Sequence, residues 1–227
     1  MPNWVFNSLT VSGDAAELDV FKHEIAEPYT TNHYDFVSDG EGGWKKEQRE
    51  NVHESVLSFW NAISPDDLDA YFGEHEYPKG ERTADEIWQD ISEGFRTGMD
   101  WYNWNVRYWG TKWDACNAHV SEDEDGLHYT FDTAWSIPEP AMIAMSEKYP
   151  NLHFYLRAQE EQGWGAEMDF ENGSVHVMNE WDIPESHHEN MNVWGHCWKC
   201  EDYPEDLYDD CPQPDLTEIA ESGNVVS

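Results

Sequence analysis

The chain has few basic residues for its size. Its 227 residues contain 12 Lys and Arg against 48 Asp and Glu, which gives a formal net charge of -36. Because this charge repels the phosphates of DNA and RNA, we expect no direct binding of nucleic acid. A compact chain of such charge also repels itself, so salt, metal ions or a basic partner must offset the repulsion.

The acidity alone leaves three explanations open. The carboxylates could form a solvated surface, which includes adaptation to high salt. They could mimic a polyanion that occupies the basic cleft of a nucleic-acid-binding protein, or they could bind another kind of basic protein.

Long hydrophobic runs and a secretory signal are also missing. No stretch of about 18 apolar residues occurs, and the first residues lack a basic segment followed by an apolar one. We therefore expect no membrane span. The chain has only four cysteines, and without a signal they indicate a reducing compartment. The expected location is the cytoplasm of a host cell.

Familiar catalytic motifs are absent from the sequence. It contains no phosphate-binding Gly-Lys-Ser/Thr loop, no Gly-x-Ser-x-Gly elbow and no dinucleotide fingerprint. With 48 carboxylates, any two can be drawn as an acid–base pair, so no pair is informative. The sequence therefore favours a role other than catalysis.

Aromatic residues, by contrast, are abundant. Hydrophobic residues make up 39% of the chain and aromatic residues 15%, including 13 Trp. This content predicts a packed core, because a disordered chain carries few aromatic side chains.

Periodicities along the chain predict alternating strands and helices. Residues 3–11 alternate as a strand, and Asp14 with Glu17 forms a capping box for a helix over about 15–26. Residues 28–55 are polar and are predicted to be a loop. Further strands are expected at 56–63, 127–135 and 152–159 and in a hairpin around Asn172-Gly173, and further helices at 66–72, from Thr83, and from Pro138 to about 148.

This order predicts an α+β fold with a ferredoxin-like antiparallel sheet that helices cover on one face. The domain is predicted to span 1–182, with a helical insertion at about 64–116 and an added C-terminal hairpin. Residues 183–227 form an acidic, Cys/His-containing tail, in which nine acids and no base lie from Glu201 to Glu221. The tail is predicted to be loop or disorder, apart from a local metal clip.

Three segments carry a resemblance to a known family. They are PNWVFNSLTVSG at 2–13, WYNWNVRYWGTKWDA at 101–115 and FDTAWSIPEP at 131–140. In this order they resemble the YubB-like family of phage and plasmid proteins, over roughly residues 1–182. The resemblance implies a ferredoxin-like domain and an origin in a mobile element, and it supplies no catalytic residues. The acidic tail departs from the family pattern.

The Trp-rich segment provides the candidate binding residues. If it is exposed, Trp, Tyr and Arg side chains make it an interface hot spot. If it is buried, the rings pack under the sheet while Lys112 and Asp114 pair or cap a turn. The candidates are Trp101, Tyr102, Trp104, Arg107, Trp109, Lys112, Trp113 and Asp114.

The tail contains a candidate metal site. Cys197 and Cys200 form a CxxC pair, and Cys211 with His196 would complete a tetrahedral zinc site. A zinc ion would supply the order that burial cannot provide in an acidic tail. Since the second half of the site lacks a standard spacing, free thiols and no cofactor remain the alternative.

Two main hypotheses of function follow. The first is a non-catalytic acidic binding protein of a phage or plasmid, which inhibits a basic host protein, in defence or nucleic-acid binding, by mimicking a polyanion. The second is a metal-dependent enzyme, or a binder of a nucleotide or small molecule, with a pocket near the Trp cluster. An inert accessory protein adapted to salt is a third.

Overall fold

The structure is a computed structural model, and it describes residues 2–38, 40, 43–66, 68, 71, 101–197, 199–200 and 207–212. The described strands are β1 (Trp4–Ser12), β2 (Tyr29–Ser38), β3 (Trp44–His53), β4 (Cys116–Asp123), β5 (Gly126–Ala134), β6 (His153–Glu160), β7 (Gly165–Glu171) and β8 (Ser174–Trp181). The described helices are α1 (Ala15–Ile25), α2 (Phe59–Ala62), α3 (Trp101–Tyr108), α4 (Glu139–Lys148) and α5 (His187–Trp194).

Two compact units make up the chain. The first comprises Met1–Glu161 and Ala166–Glu180, and the second comprises Gln162–Gly165 and Trp181–Ser227. The boundary expected from the sequence, between 182 and 183, stays a prediction, as does the insertion at about 64–116.

A six-stranded sheet in the order β4-β5-β1-β6-β7-β8 forms the centre of the first unit. Strand β1 pairs antiparallel with both β5 and β6, and β4 pairs antiparallel with β5. With β1, α1, β4, β5, α4 and β6 taken as the βαββαβ unit, the sheet has the ferredoxin-like arrangement, and β7 and β8 extend it at the β6 edge. The predicted fold class and the added hairpin are confirmed.

The core lies between one face of this sheet and helices α1 and α4. Alternation in β1 buries Val5, Leu9 and Val11 completely. Phe21 of α1 packs edge-on against Tyr129 and Phe154, with ring centroids 6.0 and 5.5 Å apart. Such edge-to-face contacts add to the burial of large apolar surfaces.

Local signals were accurate for the first helix and for the last strands. The side chain of Asp14 accepts a hydrogen bond from the backbone N–H of Ala16 at 2.9 Å and so begins α1. Asn172 and Gly173, with φ of 46° and 76°, form the tight turn between β7 and β8.

The segment between α1 and α3 differs from the prediction. Residues 28–55 contain the hairpin of β2 and β3 rather than a loop, and residues 56–63 contain the short helix α2 rather than a strand. The hairpin was missed because its strands are rich in polar residues. The prediction treated 56–63 as the second strand of the ferredoxin-like unit. That position in the sheet belongs to β4, an edge strand whose polar sequence, CNAHVSED, gave no clear strand signal.

Other predicted segments differ from the structure or lie outside its described part. The strand predicted at 127–135 ends at Ala134, and Trp135 follows it with a φ of 70° and is 45% exposed. Residues 187–194 form α5 rather than a loop. The helix predicted from Thr83 lies outside the described residues, as does most of the helix predicted at 66–72.

In the described part of the chain, no helix is both long and apolar enough to cross a membrane.

Candidate functional site

An aromatic cavity of about 460 Å³ lies in the first unit. Its size falls in the range of ligand pockets. Rings contributed by β2, β3, α2 and the segment around α3 form most of its lining: Tyr29, His53, Trp60, Tyr71, Trp101, Trp109 and Trp113. Asp114 and Cys116 complete the wall beside them. We call this site the aromatic cavity.

Three of these rings form a parallel stack. Tyr29 lies between His53 and Trp60, with centroid distances of 4.5 and 4.9 Å and interplanar angles of 6° and 2°. Tyr29 and His53 are directly opposite each other in the β2–β3 hairpin, and cross-strand pairing brings their rings together. The hairpin therefore forms one wall of the cavity.

The other rings meet edge-on. Trp60 contacts Tyr71 at 5.5 Å and Trp109 at 6.4 Å between centroids. The indole N–H of Trp109, which is only 2% exposed, donates to the carbonyl of Ile63 at 3.0 Å. Helix α3 ends at Tyr108, and Gly110 then adopts a left-handed conformation in which a Cβ would collide with Pro140. These contacts fix the ring positions.

The carboxyl group of Asp114 binds four donors. Its Oδ2 accepts from the hydroxyls of Tyr29 at 3.0 Å and Ser58 at 2.6 Å. Its Oδ1 accepts from the backbone N–H groups of Phe59 at 2.6 Å and Ala115 at 2.7 Å. Ser58 makes no side-chain cap of its own, so Asp114 caps α2 from a distant part of the chain.

Burial shapes the electrostatics at this point. Desolvation raises the pKa of Asp114 above its ordinary value, although the hydrogen bonds from Ser58 and Phe59 oppose the rise. Desolvation, together with the charge of Asp114, also raises the pKa of Tyr29. Desolvation raises the pKa of Tyr71 to about 12. Both phenols therefore stay neutral near pH 7.

Four of the eight predicted binding residues line the aromatic cavity, namely Trp101, Trp109, Trp113 and Asp114. Of the other four, Tyr102 and Trp104 contact neighbouring rings of α3 and its surroundings. Arg107 lies over the ring of Tyr108 at 5.4 Å. Lys112 Nζ lies over the rings of Tyr102, Trp113 and Trp135, and of these only Trp113 is among the described lining residues.

Sequence reasoning missed the cavity residues that precede α3. Tyr29 and His53 fall in the segment predicted to be a loop, and Trp60 falls in the predicted strand. Tyr29 and Thr31 alternate as the start of a strand and were a weak signal for the hairpin. No local signal shows that this hairpin would meet residues 101–116, because that contact depends on the tertiary fold.

A Cys/His cluster lies in the second unit. One ligand atom from each of His187, Cys197, Cys200 and Cys211 lies within 4.8 Å of the others. The sulfurs of Cys197 and Cys211 are 3.9 Å apart, far beyond the about 2.05 Å of a disulfide. His187 takes the place expected for His196, which is exposed outside the cluster. This cluster could hold a metal ion.

The cluster is held by the start of α5. The carboxylate of Asp210 accepts from the backbone N–H groups of His187 at 2.7 Å and His188 at 3.0 Å. The hydrogen bond from His188, followed by the bond from His187, holds the pKa of Asp210 below its ordinary value, and the bond from His188 has the larger effect. Because Asp210 directly precedes Cys211, the same contact positions two members of the cluster.

The thiols of the cluster interact strongly. Burial opposes ionisation of Cys197, but hydrogen bonds from the backbone of Cys200 and from His187 lower its pKa to about 7. Desolvation and the hydrogen bonds with Cys211 and Cys197 raise the pKa of Cys200 to about 12. One thiolate therefore forms readily, and close contact with it disfavours a second.

Comparison with known families supports the ferredoxin-like class. Residues 108–196 match the family model of the ferredoxin-like domain in Api92-like protein. A crystal structure of the protein api92 from Yersinia pseudotuberculosis is similar, with 10% sequence identity and a TM-score of 0.43 over 81% of this chain and 99% of that chain. A search of curated proteins found no significant match.

The Asp114→Ala substitution tests the role of this carboxyl group. It removes the acceptor of four hydrogen bonds, and leaving buried donors unpaired should cost about 3 kcal/mol of unfolding free energy or more. Thermal and urea denaturation measure the loss. Asp125→Ala, which removes the same charge from an exposed residue, is the control. Equal stability of the two variants would contradict this role.

Proposed function

We propose that this chain is a non-catalytic binding protein whose target is a basic protein. The observation that carries the proposal is an aromatic cavity, lined by seven rings and one carboxyl group, in a chain of net charge -36. Aromatic side chains dominate the binding energy of protein interfaces, and a negative field attracts and orients a basic partner.

The polar groups of the cavity wall support it rather than offering a site for chemistry. The hydroxyl of Tyr71 donates to Asn105 Oδ1 at 2.8 Å, and Asn105 Nδ2 donates to the carbonyl of Lys112 at 2.9 Å. Asp114 uses both oxygens on internal donors. A general acid or base must reach its substrate by a hydrogen bond, and these groups are engaged within the protein.

Several of the basic residues are paired with acids at the surface. Lys22 contacts Glu122 at 2.7 Å, Lys148 contacts Glu24 at 3.8 Å and Arg157 contacts Glu167 at 3.1 Å. Such exposed pairs add little to stability. They do neutralise local positive charge, so the surplus of carboxylates sets the field that a partner meets.

We further propose that the protein originates from a phage or plasmid and acts in the cytoplasm of the host cell. There it inhibits a host defence or nucleic-acid-binding protein by occupying the cleft that normally takes a polyanion. The net charge supports the mimicry. The resemblance of residues 101–115 to YubB-like proteins supports the origin.

We also propose that the Cys/His cluster binds one structural zinc ion. Tetrahedral zinc, with bonds of about 2.3 Å to sulfur and about 2.0 Å to nitrogen, requires about 3.8 Å between two sulfurs and about 3.6 Å between sulfur and nitrogen. The distances are 3.9 Å for Cys197–Cys211 and 3.4 Å from Cys200 Sγ to His187 Nδ1. The spacing of these two pairs supports the proposal.

The number of ligands favours a structural role over a metal-dependent enzyme. Four protein ligands, His187 and the three cysteines, fill a tetrahedron and leave no position for water or substrate. The described part of the second unit has only one full helix, α5. A zinc ion bound by both His187 of α5 and Cys211 would stabilise this unit, whose small core contributes little stability.

Metal analysis of the purified protein tests the zinc proposal. We expect about one zinc per chain in the wild type and in His196→Ala, which lies outside the cluster. We expect the zinc affinity of His187→Ala to fall at least about tenfold, because the fourth ligand is lost.

Chelation gives a second readout of the same site. Removal of zinc should increase hydrogen exchange in 181–212 and leave the β1–β5–β6 sheet protected, since each unit has its own core. Absence of zinc from the wild type, equal zinc affinities of the wild type and His187→Ala, or exchange that chelation leaves unchanged would contradict the proposal.

Competition with DNA tests the binding function. The immobilised chain is exposed to bacterial lysate, and retained proteins are identified and then assayed for DNA binding. We expect a basic DNA-binding protein that is retained at about 50 mM salt, is released at about 500 mM, and loses DNA when the purified chain is added.

Poly-glutamate of matched total charge is the control, because any polyanion binds a basic protein weakly. The chain should inhibit DNA binding at a much lower concentration than the polymer. If the polymer is equally effective, or if no basic protein is retained at either salt concentration, the proposed function is wrong.

A further inference from the structure

We infer that the aromatic cavity holds an alkylammonium group, as carried by a lysine side chain of the basic partner. This inference rests on the proposed function and names the chemistry of its anchor. Aromatic rings that surround a space attract an organic cation through the negative potential of their faces, and this attraction grows when water is excluded.

The lining has the composition that such a site requires. It contains seven rings and one acidic side chain, and no lysine or arginine lies among its described lining residues. The acid, Asp114, needs no hydrogen bond from a ligand, because four internal donors occupy its oxygens. When ionised, its charge still acts across the desolvated space beside it.

The rings are fixed before a ligand arrives. Tyr29 is stacked between His53 and Trp60, and Trp60 is braced edge-on by Trp109. Because His53 and Trp60 cover both faces of Tyr29, this ring holds its neighbours in place rather than contacting the cation. The wall therefore needs little reorganisation, and binding costs less conformational entropy than at a flexible site.

The protein already places an ammonium group on a ring of this cavity. Lys112 Nζ lies 4.7 Å from the centroid of Trp113 and 5.1 Å from that of Trp135. Trp113 also contacts Trp4 at 5.9 Å. One ring of the cavity lining thus already takes part in a cation–π contact.

Other occupants fit less well. A phosphate-bearing ligand would meet no lysine or arginine in the described lining and would oppose the net charge of -36. A neutral polar ligand would find the hydroxyls of Tyr29 and Tyr71 already bonded to Asp114 and Asn105. The volume of about 460 Å³ exceeds that of an ammonium group alone, so the apolar stem of the side chain enters as well.

Choline and its neutral isostere, 3,3-dimethylbutan-1-ol, separate cation recognition from simple burial. The two molecules have the same shape and differ in charge. We expect calorimetry and Trp fluorescence to show choline binding to the wild type at least about tenfold more tightly than the alcohol. Equal binding of the two, or binding of the alcohol alone, would overturn the inference.

A pair of Trp variants locates the site. Trp101 lines the cavity and is 40% exposed, whereas Trp135 lies outside the lining and is 45% exposed. Because neither ring is buried, both variants should fold, which thermal melting verifies. We expect Trp101→Leu to weaken choline binding about fivefold or more and Trp135→Leu to leave it unchanged. The reverse pattern would place the cation elsewhere and overturn the inference.

The result can be separated from that of the proposed function. If choline and its isostere bind alike while the DNA competition succeeds, only the cation site is wrong. If choline binds selectively while no basic protein is captured, the cation site stands and the proposed partner is wrong.

Discussion

The carboxyl group of Asp114 is the contact on which the organisation of the first unit's candidate site depends. It joins the β2–β3 hairpin through Tyr29, the start of α2 through Ser58 and Phe59, and the segment before β4 through Ala115. Burying a charge is costly unless donors compensate it. Here four donors do so, and the walls of the aromatic cavity are fixed in the process. A structural acid thus also sets the electrostatic character of the site.

Much of the sheet could be predicted from local patterns, because alternation in β1, β5 and β6 directly reflects a buried face. The strands β2, β3 and β4 could not. Their residues are largely polar, and pairing partners rather than burial determine their conformation. Residues 56–63 show the opposite error: an apolar run with strand character forms α2 because Asp114, far along the chain, caps it.

In both candidate sites, a local sequence pattern marks some of the residues and the tertiary fold adds the others. The CxxC pair marked the Cys/His cluster, but the choice of His187 over His196 depends on Asp210 holding the start of α5. The Trp-rich run marked one side of the aromatic cavity, but Tyr29 and Trp60 come from segments distant in sequence. Residue type therefore marked part of each site, whereas the tertiary fold selected the residues that complete it. Together the sites describe an acidic protein with an aromatic cavity in its first unit and a Cys/His cluster in its second.

The desolvated carboxyl group of Asp114 holds the walls of the aromatic cavity in place and contributes to the electrostatic potential inside it. The most direct measurement is the titration of the Asp114 side-chain carbon by NMR, with and without choline. The account predicts a pKa above the ordinary value of about 3.9 in the free protein. It also predicts a lower pKa once choline is bound, since a nearby cation favours the carboxylate. A midpoint at the ordinary value that choline leaves unchanged would contradict the account.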